Sequence, residues 1–587
     1  MGKNIVGRQL IHVIHHNKCL YDPKWFKKGN KILIIERLFY DDGTTTKRLN
    51  LIEKPEISYY TTLKNPIQRC ELSVELKDCE KQVSVYDTLL KELANITNQT
   101  DFYNEVSGEG QNRRRKALHF HKDLHGSDVN LGDHYIDKYI EMTGPLFKSD
   151  ASLECAYGDI EVDGIEVSGF PEPADALAPI NLMSYVYAPT KKLIVRINRQ
   201  SVRPNPQIKE FEDNNEENLK WIFSEVNRPT LEKAKIIEEG VDWKEIFNII
   251  KDDKSICRIH EVEIRYFQDE LSLIKDFFFM LNEEDRPDVM AFWNISFDLP
   301  TIINRLKKLG VEPEDIICPK DFKDFQMCDF QEDTFHQKDP QDKIDITNVS
   351  GYTIYLDQML IYANLRKSEG KKDAYTLDFT LKEELKEEKI SHEMSIRDFP
   401  YQEFNRFVLY NAMDVCPMMT LEEKTSDIDL VYRLSLLTRT RIHHVLKKTV
   451  CLRNFANKFF RDKRLVLSNN RNTNNERSNE SFKGGFVANP NLLTNFGIKV
   501  GGTASNRIFN DVVDFDGKSE YPSTIITFDV DPSAVRAKVS YLNKDNHEEN
   551  GSEIVSPLIS GNDNLIGCNW LNLPTLPELL DLINEKG

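Results

Sequence analysis

The sequence predicts a multidomain α/β protein. Its 587 residues exceed what a single hydrophobic core usually organises. Between residue 152 and about residue 425, short apolar or alternating segments typical of β-strands alternate with segments whose apolar residues recur every three or four positions, as in amphipathic helices. Strands that alternate with helices favour a layered α/β domain.

Changes in these patterns divide the chain into four predicted regions. Residues 1–151 mix short alternating runs with polar turns and predict a small mixed N-terminal domain. Residues 152–425 form the α/β domain, with a charged, Glu-rich insertion that we expect to be helical and on the surface. Residues 426–481 read as long helices followed by an Asn/Ser-rich linker, and a new unit begins at residue 482.

Individual segments support this division. The predicted strands of the second region are ECAYGDIEV, PINLMSYVYA, KKLIVRI, SICRIHEVEI and DVMAFWN. Its clearest predicted helices are DELSLIKDFFFML and LPTIINRLKKL. The third region carries a basic stripe, which we interpret as a solvated helix face, made up of Arg439, Arg441, His443, His444, Lys447, Lys448 and Arg453.

Composition excludes several classes of protein. No apolar run approaches the ~20 residues that cross a bilayer, and the N-terminus lacks the apolar region of a secretory signal. The ten Cys are scattered without a CxxC pair, which argues against a zinc ribbon or a disulfide scaffold and fits a reducing cytoplasm. The net charge of -18 argues against nonspecific binding of nucleic acid, although an acidic nuclease can still hold DNA in a local basic channel.

The first chemically suggestive segment is YGDIEVDG, which contains Asp159 and Glu161. Residues two apart in a strand point to one face, so the two carboxylates form half of a site for a hard cation. Taken alone, the pair is equally compatible with a solvated strand face.

Two further segments follow in order. DVMAFWNISFDLP places Asn294, Phe297 and Asp298 where a buried strand ends and a helix begins, the position at which α/β sheets build sites. YNAMDV places Tyr410 and Asp414 four apart, on one face of a helix. Each alone has a simpler explanation, a helix cap for the first and a surface pair for the second, but the ordered set predicts one site.

Four carboxylates can hold two divalent cations a few ångström apart. Such a pair activates a water and stabilises the leaving oxygen during attack at phosphorus. Tyr410 would orient the attacking water, because a phenol with a pKa near 10 is a poor base at neutral pH. The site therefore predicts release of a nucleoside monophosphate from a 3′ end.

This set resembles the three Exo motifs of the DEDDy exonucleases, in the form carried by family B DNA polymerases. The resemblance implies a ribonuclease-H-like exonuclease domain in which Asp159, Glu161, Asp298 and Asp414 bind metal and Tyr410 positions the nucleophilic water. It also implies that Asn294 and Phe297 contact the frayed 3′ end. GFPEP and the stretch SGYTIYLDQMLIYANL followed by DAYTLDFTLKEEL are similar to the T-even-type phage polymerases. Asp357, in that stretch, we interpret as structural.

The C-terminal region resembles the start of a family B polymerase palm. FKGGFV is similar to the YxGG motif that contacts DNA between the two domains, which implies DNA contacts for Phe482, Gly484 and Gly485, although an ordinary Gly-Gly turn would read the same. VVDFDGKSEYPSTII resembles motif A, DxxSLYPSI, with Asp516 as the implied metal ligand.

The sequence offers two candidates for the metal ligand of motif A and suggests two nucleotide contacts. Asp514 is the alternative ligand, one strand repeat earlier. The resemblance implies nucleotide contacts for Ser519 and Tyr521, the latter as the steric gate against ribonucleotides. Glu520 stands where the family usually has Leu, so we expect different packing behind the nucleotide pocket.

The later polymerase motifs are absent from this sequence: neither a Kx₃NSxYG-type finger motif nor a DTD motif follows motif A. We therefore expect that this chain cannot extend a primer alone and that a second polypeptide supplies fingers, remaining palm and thumb. The chain would then be the N-terminal subunit of a split viral replicative polymerase, working in the host cytoplasm, or else a fragment of a single-chain enzyme.

The resemblance implies Mg²⁺ as cofactor, two ions at the exonuclease site, with Mn²⁺ also suited to carboxylates. The implied partners are primer–template DNA and single-stranded 3′ ends, with deoxynucleotides only in the complete enzyme and no membrane. Two other classes stay open: a free-standing 3′→5′ exonuclease and a noncatalytic DNA-binding scaffold.

Overall fold

The computed structural model forms two compact units, Met1–Asn472 and Thr473–Gly587. It describes residues 3–16, 29–62, 73–105, 115–121, 123–233, 258–322, 325–337, 339–390, 395–467, 469, 523, 527, 538–541, 557–561 and 564–567. The predicted mixed α/β architecture is confirmed in the first unit.

The N-terminal part of the first unit is built mainly from antiparallel strands. Its strands are β1 Ile5–His16, β2 Lys31–Tyr40, β3 Thr45–Ile52, β4 Glu56–Thr62, β5 Ser73–Glu75, β6 Cys79–Val85 and β7 Leu124–His125. Its α-helices are α1 Leu89–Ile96, α2 Thr100–Glu105 and α3 Leu131–Thr143. Strands β1–β2–β3 form one sheet and β6–β4–β7 another. In β2, KILIIERLFY is buried along most of its length, which explains its strongly apolar sequence.

The α/β part follows. Its strands are β8 Cys155–Val162, β9 Ile180–Tyr187, β10 Lys192–Asn198, β11 Glu261–Phe267, β12 Val289–Phe292, β13 Cys328–Gln331, β14 Ile346–Val349 and β15 Ile354–Asp357. Its α-helices are α4 Pro206–Asp213, α5 Asn215–Lys233, α6 Glu270–Phe279, α7 Ile295–Lys308, α8 Pro313–Ile317, α9 Gln358–Leu365, α10 Leu377–Glu384, α11 Phe399–Gln402 and α12 Phe404–Thr425.

A mixed six-stranded sheet, in the order β11–β10–β9–β8–β12–β15, organises this part. Strand β9 is antiparallel to both neighbours, and the other neighbouring pairs are parallel. Alternate residues of β9 separate the two faces: Leu182 and Val186 join one hydrophobic core, and Met183 and Tyr185 join the other. Helices α6 and α7 contribute to the core on the Met183 face, and α12 to the core on the Leu182 face.

The predicted strands and helices of this region are confirmed, with two differences. The strand within SICRIHEVEI begins only at Glu261. The predicted surface insertion, residues 204–255, is helical in α4 and α5, and residues 234–255 lie outside the described residues. It is not confined to the surface: Ile222, Phe223 and Val226 are buried, and α5 packs on α12.

Residues 426–467 lie against the N-terminal part. They contain α13 Asp427–Thr438, α14 Lys448–Asp462 and the strand β16 Leu465–Leu467, which pairs with β5. The Tyr432 hydroxyl of α13 donates to the Leu10 carbonyl at 2.6 Å.

The interpretation of the basic stripe as one solvated helix face is wrong. The chain makes a 3₁₀ turn at Ile442–His444 between the two helices, so these side chains do not share a face. The Arg441 backbone N–H donates to Asp133 at 2.9 Å, Arg439 lies 3.4 Å from Asp137, and the His443 ring packs edge-on against His12.

In the second unit, the described residues include a three-stranded antiparallel sheet of β17 Lys538–Tyr541, β18 Pro557–Gly561 and β19 Asn564–Gly567. The motif residues predicted in this unit, Phe482, Gly484, Gly485, Asp514, Asp516, Ser519 and Tyr521, lie outside the described residues. Among the helices that the structure describes, none is long and apolar enough to cross a bilayer.

Candidate active site

Three carboxylates meet on one face of the central sheet. Asp159 and Glu161 have the same parity in β8 as Tyr157, whose side chain belongs to the core shared with α12. Asp414 projects from α12 on that same side, so the sheet and the helix bring the three groups together. One ligand oxygen from each of the three carboxylates lies within 4.8 Å of the others.

Asp298 approaches the group without joining it. It lies in the first turn of α7, is 3% exposed, and its Oδ1 accepts the Ile160 backbone N–H at 3.3 Å. Ile160 lies between Asp159 and Glu161 in β8, so Asp298 contacts the backbone of the strand next to both carboxylates. The roles of Asp298 and of the other three carboxylates as metal ligands stay predictions.

The electrostatics of the cluster favour a bound cation. Burial, and then repulsion from Asp414, raises the pKa of Asp159 to about 8. Burial, followed by the charge of Asp159, also raises the pKa values of Glu161 and Asp298 well above their ordinary range. A set of oxygen donors that cannot all ionise together suits a hard divalent cation, which would compensate the negative charge. The residues present therefore fit such a metal.

Lys389 is a site residue that sequence reasoning missed. Its Nζ lies 2.6 Å and 2.7 Å from the two carboxylate oxygens of Asp414 and donates to the Tyr410 hydroxyl at 3.1 Å. Burial disfavours the charged amine, but the nearby carboxylate outweighs it and the pKa of Lys389 is raised. One charged lysine in a lysine- and glutamate-rich stretch gives no local signal, so only the tertiary structure identifies it.

Tyr410 lies one helical turn before Asp414 on α12, as the spacing predicts. Its ring packs edge-on against Phe399, with the centroids 5.8 Å apart. Burial and the charge of Asp414 raise the pKa of Tyr410 to about 12. The side chain is therefore a neutral phenol at physiological pH, able to orient a water but not to act as a base.

The second predicted motif lies at the start of α7 and in the turn that precedes it. Asn294 adopts the left-handed conformation, with φ 72° and ψ 59°, and its Oδ1 accepts the Ser296 hydroxyl at 2.8 Å. Phe297 is half-buried, and its ring lies 5.5 Å from that of Phe170, which is 66% exposed. Phe170 belongs to the GFPEP segment and adds an exposed aromatic surface that sequence reasoning did not assign to the site.

The comparison with known proteins matches the part of the chain that contains Asp159, Glu161 and Asp298. Residues 137–378 match the family model described as DNA polymerase family B, exonuclease domain. The chain is 22% identical over 396 residues to the DNA-directed DNA polymerase of Escherichia phage RB69, an alignment that covers 65% of this chain and 36% of that polymerase. The chain thus aligns with about a third of its relative's length. Tyr410 and Asp414 lie beyond the segment that the family model matches.

Proposed function

We propose, from the premise that residues 137–378 are an exonuclease region of the DNA polymerase family B type, that this chain removes nucleotides from DNA 3′ ends by hydrolysis. By doing so it would proofread DNA synthesis. The convergence of Asp159, Glu161 and Asp414 within 4.8 Å is the observation that carries the proposal. A three-carboxylate pocket assembled from a strand and a helix on one sheet face is suited to phosphodiester hydrolysis.

Different residues of this chain would bind the DNA substrate and orient the attacking water. The exposed Phe170 ring and the neighbouring Phe297 offer a surface on which the terminal bases of a frayed strand can stack. Asn294, just before α7, and Phe297, in its first turn, would contact the terminal nucleotide. Tyr410 remains a phenol and orients the water that attacks the last phosphodiester.

In the reaction, the water oxygen bonds to phosphorus and the bond from phosphorus to the preceding 3′ oxygen breaks. The products are a nucleoside 5′-monophosphate and a strand that ends in a 3′ hydroxyl. Asp159, Glu161 and Asp414, with Asp298 beside them, would hold Mg²⁺ or Mn²⁺. When bound, such ions lower the pKa of the attacking water and neutralise charge on the phosphate and leaving oxygen.

The test uses a 5′-labelled primer–template, the full chain and Mg²⁺, with and without nucleotides. We expect the wild-type chain to shorten the primer from its 3′ end and Asp159→Ala to abolish shortening. Asp269→Ala is the matched control, because Asp269 caps α6 through Ser272 at 2.8 Å in the same domain but lies outside the acidic cluster. Equal cleavage by wild type and Asp159→Ala would overturn the proposal.

For DNA synthesis we propose that further residues are needed, either in a longer form of this chain or in a second polypeptide. The support is that the segment resembling motif A would supply one polymerase carboxylate, Asp516, while the finger motif and the second carboxylate motif are absent from these 587 residues. In the same assay we expect no primer extension. Extension by this chain alone would contradict this part.

The two alternative classes correspond to other outcomes of the assay. A chain that shortens primers but is never stimulated by polymerase partners would be a free-standing exonuclease. A chain that binds the primer–template without shortening it in either Mg²⁺ or Mn²⁺ would be a noncatalytic scaffold.

A further inference from the structure

A buried amide contacts the acidic cluster from α12. Asn411 follows Tyr410 directly and is completely buried. Its Nδ2 donates to Asp159 Oδ2 at 2.7 Å, and its Oδ1 accepts the hydroxyl of Ser184, which is also completely buried. Asn411 lies within the YNAMDV segment, where only Tyr410 and Asp414 were assigned a role, and Ser184 lies outside the motifs that identify the site.

The strand register explains why these groups meet. Asp159 of β8 and Ser184 of β9 are direct partners in the antiparallel pair, so their side chains stand next to each other on the same face. Helix α12 packs across both strands. Asn411 therefore bridges two neighbouring side chains of the sheet, one a carboxylate and the other a hydroxyl.

The chemistry of the three groups fixes the orientation of the amide. In the ionised form that binds a cation, the Asp159 carboxylate can only accept hydrogen bonds, so the amide turns its NH₂ group to Asp159. Its carbonyl oxygen then needs a donor, and the Ser184 hydroxyl supplies one. If Ser184 could not donate, the buried carbonyl oxygen would be unsatisfied.

We infer that Asn411, held by Ser184, is a positioning residue that fixes the carboxylate plane of Asp159 for cation binding. The inference rests on the proposed exonuclease function and deepens it. With Oδ2 engaged by the amide, the Asp159 carboxylate cannot rotate freely, so it meets a cation in one orientation. Groups that orient metal-binding side chains typically change metal affinity by about 10–100-fold when removed.

The test measures cation binding and cleavage separately in the full chain. Mn²⁺ binding is followed by electron paramagnetic resonance, and cleavage by shortening of a 5′-labelled single strand as Mg²⁺ is titrated. For Asn411→Ala we expect at least tenfold weaker Mn²⁺ binding and a matching increase in the Mg²⁺ concentration needed for half-maximal cleavage. For Ser184→Ala we expect a smaller loss of the same kind, because the amide stays but its orientation is no longer enforced.

Asn227→Ala is the matched control. Asn227 is an equally buried amide of the same domain, whose Nδ2 donates to the carbonyls of Phe223 and Ile259 and whose Oδ1 accepts the Ile259 N–H. It should lose thermal stability to a similar extent while keeping Mn²⁺ affinity within about twofold of wild type. If Asn411→Ala fails to fold, the smaller Ser184→Ala change carries the test.

The outcomes distinguish this inference from the proposed function. Mn²⁺ affinity that is unchanged in the folded Asn411 or Ser184 variant, or lowered equally in the Asn227 control, would overturn the positioning role. A wild-type chain that binds Mn²⁺ but never cleaves DNA would overturn the exonuclease proposal, and weaker binding by the Asn411 variant would still support the positioning of Asp159. Absence of Mn²⁺ binding by the wild type would overturn the inference.

Discussion

Lys389 sets the charge balance of the acidic cluster at the scale of single residues. Its ammonium group lies against both oxygens of Asp414 and beside the Tyr410 hydroxyl. A fixed positive charge here offsets one carboxylate when no metal is bound, and it also repels an incoming cation. Its substitution should therefore affect cleavage and cation binding in different directions.

We predict that Lys389→Ala slows cleavage by about 10²-fold or more, the usual effect of losing one electrostatic contact to a reacting group, without weakening Mn²⁺ binding. Cleavage rates at saturating metal and Mn²⁺ titration measure the two effects. Lys209→Ala is the control, because Lys209 is an exposed lysine of the α/β part that pairs with Asp213 at 3.0 Å, outside the acidic cluster. Mn²⁺ binding weakened as strongly as by Asp414→Ala would instead show that Lys389 holds Asp414 in place.

The raised pKa values of the carboxylates predict a pH-dependent stability. Asp159 has a pKa of about 8 in the folded protein and an ordinary value of 3.8, so between these values the folded state binds more protons than the unfolded state. The metal-free protein should therefore lose stability as pH rises from about 4 to about 8.

Mg²⁺ binds the deprotonated carboxylates, so its stabilising effect should be larger at pH 8 than at pH 5. Melting temperatures in EDTA and in Mg²⁺ across this range measure both effects, and Asp159→Asn should reduce the slope in EDTA. A slope that Asp159→Asn leaves unchanged would mean that the overall charge of the chain, not the cluster, determines the trend.

At the scale of elements, Asp357 at the end of β15 forms a hydrogen bond to the first residue of α7. Asp357 is buried; its Oδ1 accepts the Leu360 N–H at 3.0 Å and so caps α9, while its Oδ2 accepts the Ile295 N–H at 3.0 Å. Ile295 follows Asn294, whose left-handed backbone is uncommon for a residue other than Gly. One carboxylate thus ties two helix starts together beside the predicted DNA contacts.

We predict that Asp357→Ala lowers the free energy of unfolding by about 1–3 kcal/mol, since it leaves buried N–H groups without an acceptor, and also slows cleavage because the Asn294 turn loosens. Urea denaturation and the primer assay measure the two effects. Asp269→Ala removes a comparable helix cap and should cost about 1 kcal/mol without slowing cleavage. Normal cleavage by Asp357→Ala would show that Asp357 has only a structural role, the role predicted for it from the sequence.

At the scale of the first unit, a buried charge cluster joins the N-terminal sheet to the α/β part. Asp288, just before β12, is fully buried and pairs with Arg37 of β2 and, at 2.7 Å, with Lys47 of β3. It also accepts the Glu154 backbone N–H at 2.7 Å. Burial, and then the charge of Arg37, lowers the pKa of Lys47 to about 7.

We predict that Asp288→Asn lowers the free energy of unfolding by about 3–5 kcal/mol, because it removes the fully buried carboxylate beside Lys47 and leaves Arg37 only the partly exposed Glu154, at 3.2 Å. The measurement is the urea midpoint of the full chain. Asp213→Asn is the control: its pair with Lys209 is exposed, and such pairs contribute about 0–1 kcal/mol. Equal effects of the two substitutions would show that the Asp288 cluster does not stabilise the unit.

Features that depend on neighbours along the chain could be predicted from the residue pattern. The period of apolar residues identified β8, β9, β12 and α7, because a strand or helix with one buried face must repeat with the period of its backbone. The pairs Asp159/Glu161 and Tyr410/Asp414 were recognisable because each lies within one element, where the spacing decides which side chains share a face.

Contacts between groups that are distant in the sequence could not be predicted and become visible in the fold. Lys389 reaches Asp414, Asn411 bridges Asp159 and Ser184, and Phe170 lies beside Phe297 because strand register and helix packing bring them together. The same reason explains the basic stripe, since a 3₁₀ turn removed the shared helix face that the residue spacing implied. Contacts between elements depend on how whole faces of strands and helices pack together. The spacing of residues along the sequence does not directly indicate that packing.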